Sequence, residues 1–374
     1  MAIYIFNPEH DIALASNLEH FTAPHAGRCL RHDLGFLPAL WAEEGDYILV
    51  DDMEAAKEGM RRLGLRAKAR FIDDTALSKI VHSLKDDVEI RPWGWDLALR
   101  QNMKSLGISL GSLPTNARLN AIRQASHRAW AAEKLLGKLR SINGTTGEAT
   151  ACKDIDSVKK ALSKHQKIVL KAPWSSSGRG VRYVSAIDGA QYGLTPQTEG
   201  WIRNTIMRQQ CVMVEPYYNK VSDFGMEFYS DGKGQVDYRG LSLFHTINGA
   251  YTGNVIDTED YKRKAIGRYI ALTTLDDVRE TIAEIMSEKL NGVYAGPFGI
   301  DMMVVRNAFG LALHPCVELN LRMTMGHAAL ALSRIWGIER QVMRITYGSQ
   351  YKLRIEPQRP SDSIGIEIDN GENH

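Results

Sequence analysis

Apolar and polar positions alternate along this chain in three different rhythms. In the first, short apolar runs end abruptly in polar clusters. Residues 2–6 (AIYIF) run into Asn7-Pro8-Glu9-His10-Asp11, residues 47–50 (YILV) into Asp51-Asp52, and residues 69–72 (ARFI) into Asp73-Asp74. Helical patterns over residues 37–44 and 54–63 lie between them. Strand and helix alternating at this spacing predict a parallel sheet. Ligands of such sheets sit beyond the carboxyl ends of the strands, which places Asn7, Glu9, His10 and Asp11 at a candidate mouth. A further strand at residues 88–91 meets Pro92-Trp93-Gly94-Trp95-Asp96 and a helix running to about Leu106. Asp96 there reads as first-turn compensation of the helix dipole ahead of a substrate contact.

The second rhythm begins near residue 113. Residues 117–139 put Leu119, Ile122, Leu135 and Leu136 on one stripe and predict a long helix, and residues 155–165 predict another. Residues 167–184 then read strand, small-residue loop, strand. In the loop Ser175-Ser176-Ser177-Gly178-Arg179-Gly180, small residues let backbone N–H groups approach an anion, and serine hydroxyls add donors. Lys171 ends the first strand, where a point positive charge can meet a phosphate. No GK[ST] opens a helix afterwards, so this is not a Walker A loop. A loop between two strands suits a flap over a triphosphate; the tip of a hairpin has the same composition. Residues 211–214 form a buried strand that meets Glu215-Pro216-Tyr217-Tyr218, where backbone groups can face an adenine edge. Asp223 is placed to take ribose hydroxyls, although a solvated strand face explains Asp223 and Glu227 equally well.

In the last stretch residues 238–247 predict a strand, followed by the amides and hydroxyls of residues 248–254, which could touch phosphates. Thr274 is expected to cap an amphipathic helix with Leu275, Val278, Ile282, Ile285 and Leu290 inward, ended by Asn291-Gly292. Residues 299–305 and 311–320 predict two strands joined by a turn, with Pro315 marking a bulge or an edge. Glu318 and Asn320 are two apart and share one face. Antiparallel pairing can bring Asp301 beside them. Two carboxylates and an amide oxygen make a hard, oxygen-only site that suits Mg²⁺, and Arg322 continues the face as an anion partner. A hairpin with scattered polar residues on its wet face has the same spacing.

Taken in order, Lys171 with its loop, Glu215, Asp301 and Glu318-x-Asn320 resemble the motifs of the ATP-grasp superfamily of ATP-dependent ligases. The motifs span residues 113–327, and the sheet before them resembles the domain that precedes ATP-grasp modules. The resemblance implies an α/β chain, α+β in its C-terminal part. It implies a parallel-sheet domain over residues 1–112, a lid subdomain with the Ser/Gly loop over 113–215, and a C-terminal subdomain with the metal site over 216–374. It implies that Lys171 holds the α/β-phosphates and that the loop from Ser175 to Gly180 closes over the β/γ-phosphates. Glu215 would read the adenine amino group, with Tyr217 and Tyr218 in the hinge, and Asp223 would bind the ribose. Asp301, Glu318 and Asn320 would hold one or two Mg²⁺ ions, with Mn²⁺ as a substitute. Arg322 matches the arginine that biotin carboxylase and purine-pathway members carry two residues after the asparagine, and would steady an acyl phosphate or its acceptor. This chain has Ser126-His127-Arg128 where members usually carry Asp-Lys, so Arg128 would replace the first phosphate-binding lysine. Its loop has three serines where many members have glycines, and its metal hairpin is longer than usual.

The implied activity turns a carboxylate into an acyl phosphate and transfers it to an amine or another nucleophile. Positioning and electrostatics carry such a reaction, so no nucleophilic Ser or Cys is required. A catalytically idle ATP-binding regulatory module and a kinase-like phosphotransferase are the alternatives. The acceptor pocket is expected to involve Asn7, His10, Asp11, Trp95 and Arg322. With 46 basic and 44 acidic residues in 374, no polyanion such as nucleic acid is implied as partner. No run approaches the ~18–20 apolar residues that cross a bilayer, and the first residues lack a signal peptide's basic region. The four cysteines are far apart and read as reduced thiols of a cytoplasmic protein. The intervals between His10, His20, His25 and His32 do not fit a helical zinc site, and no GxGxxG follows the first strand. Ile335, Trp336 and Ile338 form a strip that could pack on a second subunit of a homodimer, or be the inner face of a core helix.

Overall fold

A computed structural model describes residues 1–84, 88–175, 180–186, 193–247 and 250–359. Ser176, Ser177, Gly178 and Arg179 of the small-residue loop lie outside the described residues, as do Asn248 and Gly249.

The short apolar runs at the start form β1 (Ala2–Ile5), β2 (Tyr47–Leu49), β3 (Arg70–Ile72) and β4 (Glu89–Pro92). They pair in parallel in the order β3-β2-β1-β4. The strand order reverses at β1 and β4, so their carboxyl ends open a crevice. The acidic residues after these strands serve the helices that follow. Asp52, Asp73 and Asp96 each accept backbone N–H bonds as N-caps, a role that stabilises by about 1 kcal/mol. The helix expected over residues 37–44 is only the 3₁₀ turn Leu37–Leu40, because its four residues are all drawn into the core.

The long helix expected over residues 117–139 is broken. Asn116–Ala125 ends where the Ser126 hydroxyl bonds back to the Ile122 carbonyl and His127 turns extended. The His127 ring caps the next turn by accepting from the Ala129 N–H at 3.1 Å, and Arg128 opens the new helix. Antiparallel strands follow: β5 (Thr150–Cys152), β6 (Lys167–Lys171), β7 (Val181–Ser185) and β8 (Val212–Pro216), in the order β5-β8-β6-β7. Helices Ile155–His165 and Pro196–Gln209 cover them, burying Val158, Leu162 and Ile202 against Ile168, Leu170 and Val212.

The remaining strands are β9 (Asn219–Ser230), β10 (Val236–Ile247), β11 (Ala250–Ile256), β12 (Gly296–Asn307), β13 (Gly310–Asn320), β14 (Gln341–Tyr347) and β15 (Tyr351–Pro357). They make one antiparallel sheet ordered β13-β12-β9-β10-β11-β14-β15. Helix Leu272–Leu290 buries Leu275, Val278, Ile282, Ile285 and Leu290, as their spacing predicts. Thr274 is not its cap; the helix begins at Leu272, and the Thr274 hydroxyl donates to the Asn143 carbonyl at 3.0 Å.

Helix Met325–Trp336 joins the two ends of the chain. Its Ala328, Ala329, Ala331 and Leu332 share one core with Tyr4, Phe6 and Leu40 of the first domain and with Ile256 and Met343 of the large sheet. Trp336 donates its indole N–H to the Leu40 carbonyl, whereas Ile335 stays exposed. Cys152, Cys211 and Cys316 are buried free thiols, and Cys29 is half-buried. Among the described residues no helix is long and apolar enough to cross a membrane.

The large sheet's core is centred on Phe228 and Phe298, stacked at 5.2 Å and fully buried. Phe298→Ala should cost about 3–5 kcal/mol in urea unfolding. Phe309→Ala, at a 99% exposed ring, should stay within about 0.5 kcal/mol. Equal losses would contradict this placing of the core.

Candidate functional site

The acidic hairpin pairs as its spacing suggests. Asp301 lies directly opposite Glu318, and Gly299 opposite Asn320. Met303 then pairs with His314, so β13 carries extra residues around Pro315. Proline, lacking a donor, is tolerated there because β13 is the sheet's edge. Burial, Glu318 and Glu227, in that order, push the Asp301 carboxyl up to about 8. The Asn320 amide donates to Asp301 Oδ2 at 3.3 Å, and Arg322 Nη2 donates to Asn320 Oδ1 at 2.9 Å.

Glu227 is a carboxylate that sequence reasoning set aside. It pairs opposite Gly299 on β9 and is only 2% exposed, so the solvated face offered for it does not exist. Its Oε2 lies 3.0 Å from His327 Nδ1. A Cβ on Gly326 would fall 2.0 Å from its Oε1, so only glycine leaves room. Glycines at 299 and 326 were the one signal, and nothing local ties them to residue 227. Asp223 accepts from Lys220 and from the Thr246 hydroxyl, which lines the same cleft as Asp301.

From the other side come Arg128, Lys171 and Glu215. Lys171 is buried with Nζ 2.7 Å from Glu215 Oε2. The Glu215 carboxylate is therefore engaged by Lys171. Tyr217 is half-exposed with Lys167 Nζ 3.6 Å from its ring centre; the Tyr218 hydroxyl accepts from the Glu148 N–H. Arg128 Nη1 donates to the Ala172 carbonyl at 2.9 Å and to Ser175 Oγ at 3.0 Å, while Nη2 reaches Glu318 Oε1 at 2.6 Å. One guanidinium thus joins the base of the small-residue loop to the acidic hairpin. Gly180 closes that base: its carbonyl accepts from the Ala172 N–H, and a Cβ there would sit 2.4 Å from the Ser175 side chain. Burial, and after it Glu215, push the Cys316 thiol up to about 12, with Lys171 acting against them.

The first domain contributes less than expected. Asn7 and His10 are buried and satisfied: Asn7 exchanges hydrogen bonds with the Gly94 backbone at 2.8 and 3.2 Å, and His10 Nδ1 meets Asp96 Oδ2 at 3.3 Å. They brace the ends of β1 and β4. Trp95 lines other cavities. Asp11 alone of the four lines the acidic cleft, a cavity of about 310 Å³ shared with Asp301, Glu318, Asn320 and Arg322. It takes Arg322 in a fork, Nε to Oδ1 at 3.0 Å and Nη2 to Oδ2 at 2.8 Å. Burial opposes ionisation of Asp11, and Arg322 outweighs it, holding the carboxyl below its usual range.

The donor set fits a magnesium ion. Its atoms are all oxygens, and Asp301 and Glu318 face one another across the β12–β13 pairing with Asn320 beside them. Among the described residues no group of three His, Cys, Asp or Glu side chains closes around a point. Mg²⁺ ordinarily completes such an open set with phosphates and water.

No family model matches the sequence, and no curated protein matches it. Solved structures do. N5-carboxyaminoimidazole synthetase of Staphylococcus aureus, complexed with ADP, is 13% identical, with 92% of this chain and 82% of that one covered and a TM-score of 0.50. Biotin carboxylase of Campylobacter jejuni, in a β,γ-ATP complex, is 15% identical over 94% of this chain and 73% of that one, TM-score 0.51. The biotin carboxylase domain of Hydrogenobacter thermophilus 2-oxoglutarate carboxylase, solved with MgADP, ADP and bicarbonate, is 13% identical over 90% and 70%, TM-score 0.50. At these identities the likeness is one of fold: the chain has the ATP-grasp fold.

Proposed function

We propose that the chain is an ATP- and Mg²⁺-dependent ligase that activates a small-molecule carboxylate as an acyl phosphate and joins it to an amine. The observation that carries this reading is the double engagement of Arg128 with the loop base and with Glu318. It sets the cationic and acidic halves of a triphosphate site against one another. A nucleotide between them would exchange protein ion pairs for its own, Arg128 and Lys171 turning from Glu318 and Glu215 to phosphate oxygens. The loop from Ser175 to Gly180 would cover the β/γ-phosphates, the backbone beyond Glu215 would face adenine, and Asp223 would take the ribose.

Asp301, Glu318 and Asn320 would hold Mg²⁺, which when bound neutralises charge developing on the transferred phosphoryl group. A carboxylate oxygen attacks the γ-phosphorus as the bond to ADP breaks. The amine then attacks the acyl carbon, forming C–N as C–O breaks and phosphate leaves with the electron pair. Arg322, oriented by Asp11 and Asn320, offers a fixed cation to the substrate carboxylate and then to the acyl phosphate. The similar structures solved with ADP and MgADP support the nucleotide and the metal.

Glu318→Ala should abolish Mg²⁺-dependent turnover of ATP, read as ADP and free phosphate appearing together across a panel of carboxylates and amines. Its melting temperature should stay close to the parent's. Unchanged turnover would defeat the metal assignment. Tight ATP binding without turnover in the parent would favour the regulatory module, and a stable phosphorylated product the phosphotransferase.

Asp301 gives a pH signature. Its folded carboxyl, at about 8, holds a proton more tightly than the unfolded chain, where the value is about 3.9. Its contribution to stability is therefore full below the unfolded value and is lost as pH rises through the folded one. Metal needs the carboxylate, so Mg²⁺ with an ATP analogue should release protons at pH 7, read by calorimetry in buffers of different ionisation heat. Asp301→Asn should remove that release; equal release in parent and variant would contradict the assignment.

A further inference from the structure

Trp93 has a second cavity against it. Trp93 lines both the acidic cleft and a separate space of about 330 Å³, a volume within the range of small-molecule sites. Its floor is aromatic and deep, with Tyr4, Trp93 and Tyr294 at 7%, 6% and 3% exposure. Half-buried Trp41, Trp95 and Tyr229 form its walls. The walls come from three parts of the chain: the first sheet and its 3₁₀ turn, the strands β9 and β12, and helix Met325–Trp336.

The rim is cationic. Arg91, Arg239 and Arg334 line it, and Glu89 is the only carboxylate that does. Arg91 is already held by Glu89 at 2.6 Å and by the Tyr4 hydroxyl at 2.8 Å. Arg239 lies over the Tyr229 ring and reaches Asp237 at 3.4 Å. Arg334 makes no ion pair or hydrogen bond among the described residues. Rings recessed this far suit a small aromatic molecule better than the flat face of a second protein. An arginine at the rim adds a planar donor fork for a carboxylate.

We propose that this cavity is a second small-molecule site, selective for a planar aromatic anion. Its ring packs among Trp41, Trp95 and Tyr229, and its carboxylate meets Arg334. The site stands apart from the ligase reading, because none of Lys171, Asp301 and Glu318 lines it.

The test uses the full chain and 1-naphthoate as probe, followed by quenching of tryptophan fluorescence. Arg334→Gln and Ile335→Glu change the rim at exposed positions, so both should fold as the parent does. The parent should bind naphthoate saturably. Both variants, and the neutral 1-naphthalenemethanol on the parent, should bind about tenfold more weakly, or ~1.4 kcal/mol. Saturating Mg²⁺-ATP should not displace the probe. The proposal is overturned by the absence of saturable quenching, by equal binding of the neutral compound or of both variants, or by competition from ATP. It is also overturned if gel filtration shows a parent dimer that Ile335→Glu splits, since a second copy then covers the cavity.

Discussion

The site depends on two carboxylates that the β12–β13 pairing forces face to face. Asp301 and Glu318 sit opposite one another, both half-buried, with the fully buried Glu227 one strand away. Burial first, and then the like charges of Glu318 and Glu227, raise the Asp301 carboxyl. The fold answers with cations brought from elsewhere. Arg128 reaches Glu318 from the short helix Arg128–Ala131, and Arg322 links Asn320 to Asp11, which follows β1. Both compensations are made by side chains that can turn to a ligand, so in the proposed ligase the charge conflict and the binding of a polyphosphate with a metal would have one origin.

This arrangement explains why the three parts of the chain are fastened where they are. Helix Met325–Trp336 fuses the first sheet to the large one through a core of alanines that lets the layers approach closely. The fork between Asp11 and Arg322 closes the same junction at its polar end. The first domain thereby supplies orientation to the site. Asn7 and His10, at the strand ends, hold β1 and β4 together.

Local pattern made the architecture legible. Runs ending in Asp gave the parallel sheet, and the period of two in Glu318-x-Asn320 placed both side chains on one face, with Asp301 as partner. Pro315 pointed to a bulge or an edge, and both are present: β13 is the edge strand, and the register shifts between Asp301 and Met303. Long-range choices were not legible. The fork between Asp11 and Arg322 joins residues 311 positions apart, which no local rhythm encodes. Glu227 looked like the polar side of a strand because its burial depends on Gly299 and Gly326, contributed by other elements. The stripe through residues 117–139 hid the break at Ser126 and His127, since hydrogen bonds of their side chains outweigh helical propensity there.

The most direct measurement is a crystal structure of the chain with Mn²⁺ and a non-hydrolysable ATP analogue, the metal located by its anomalous scattering. The metal should lie between Asp301 and Glu318 at about 2.0–2.3 Å from their oxygens, with Lys171 drawn off Glu215 onto the phosphates. A nucleotide bound elsewhere, with Lys171 still on Glu215 and Arg128 still on Glu318, would contradict the reading at its root.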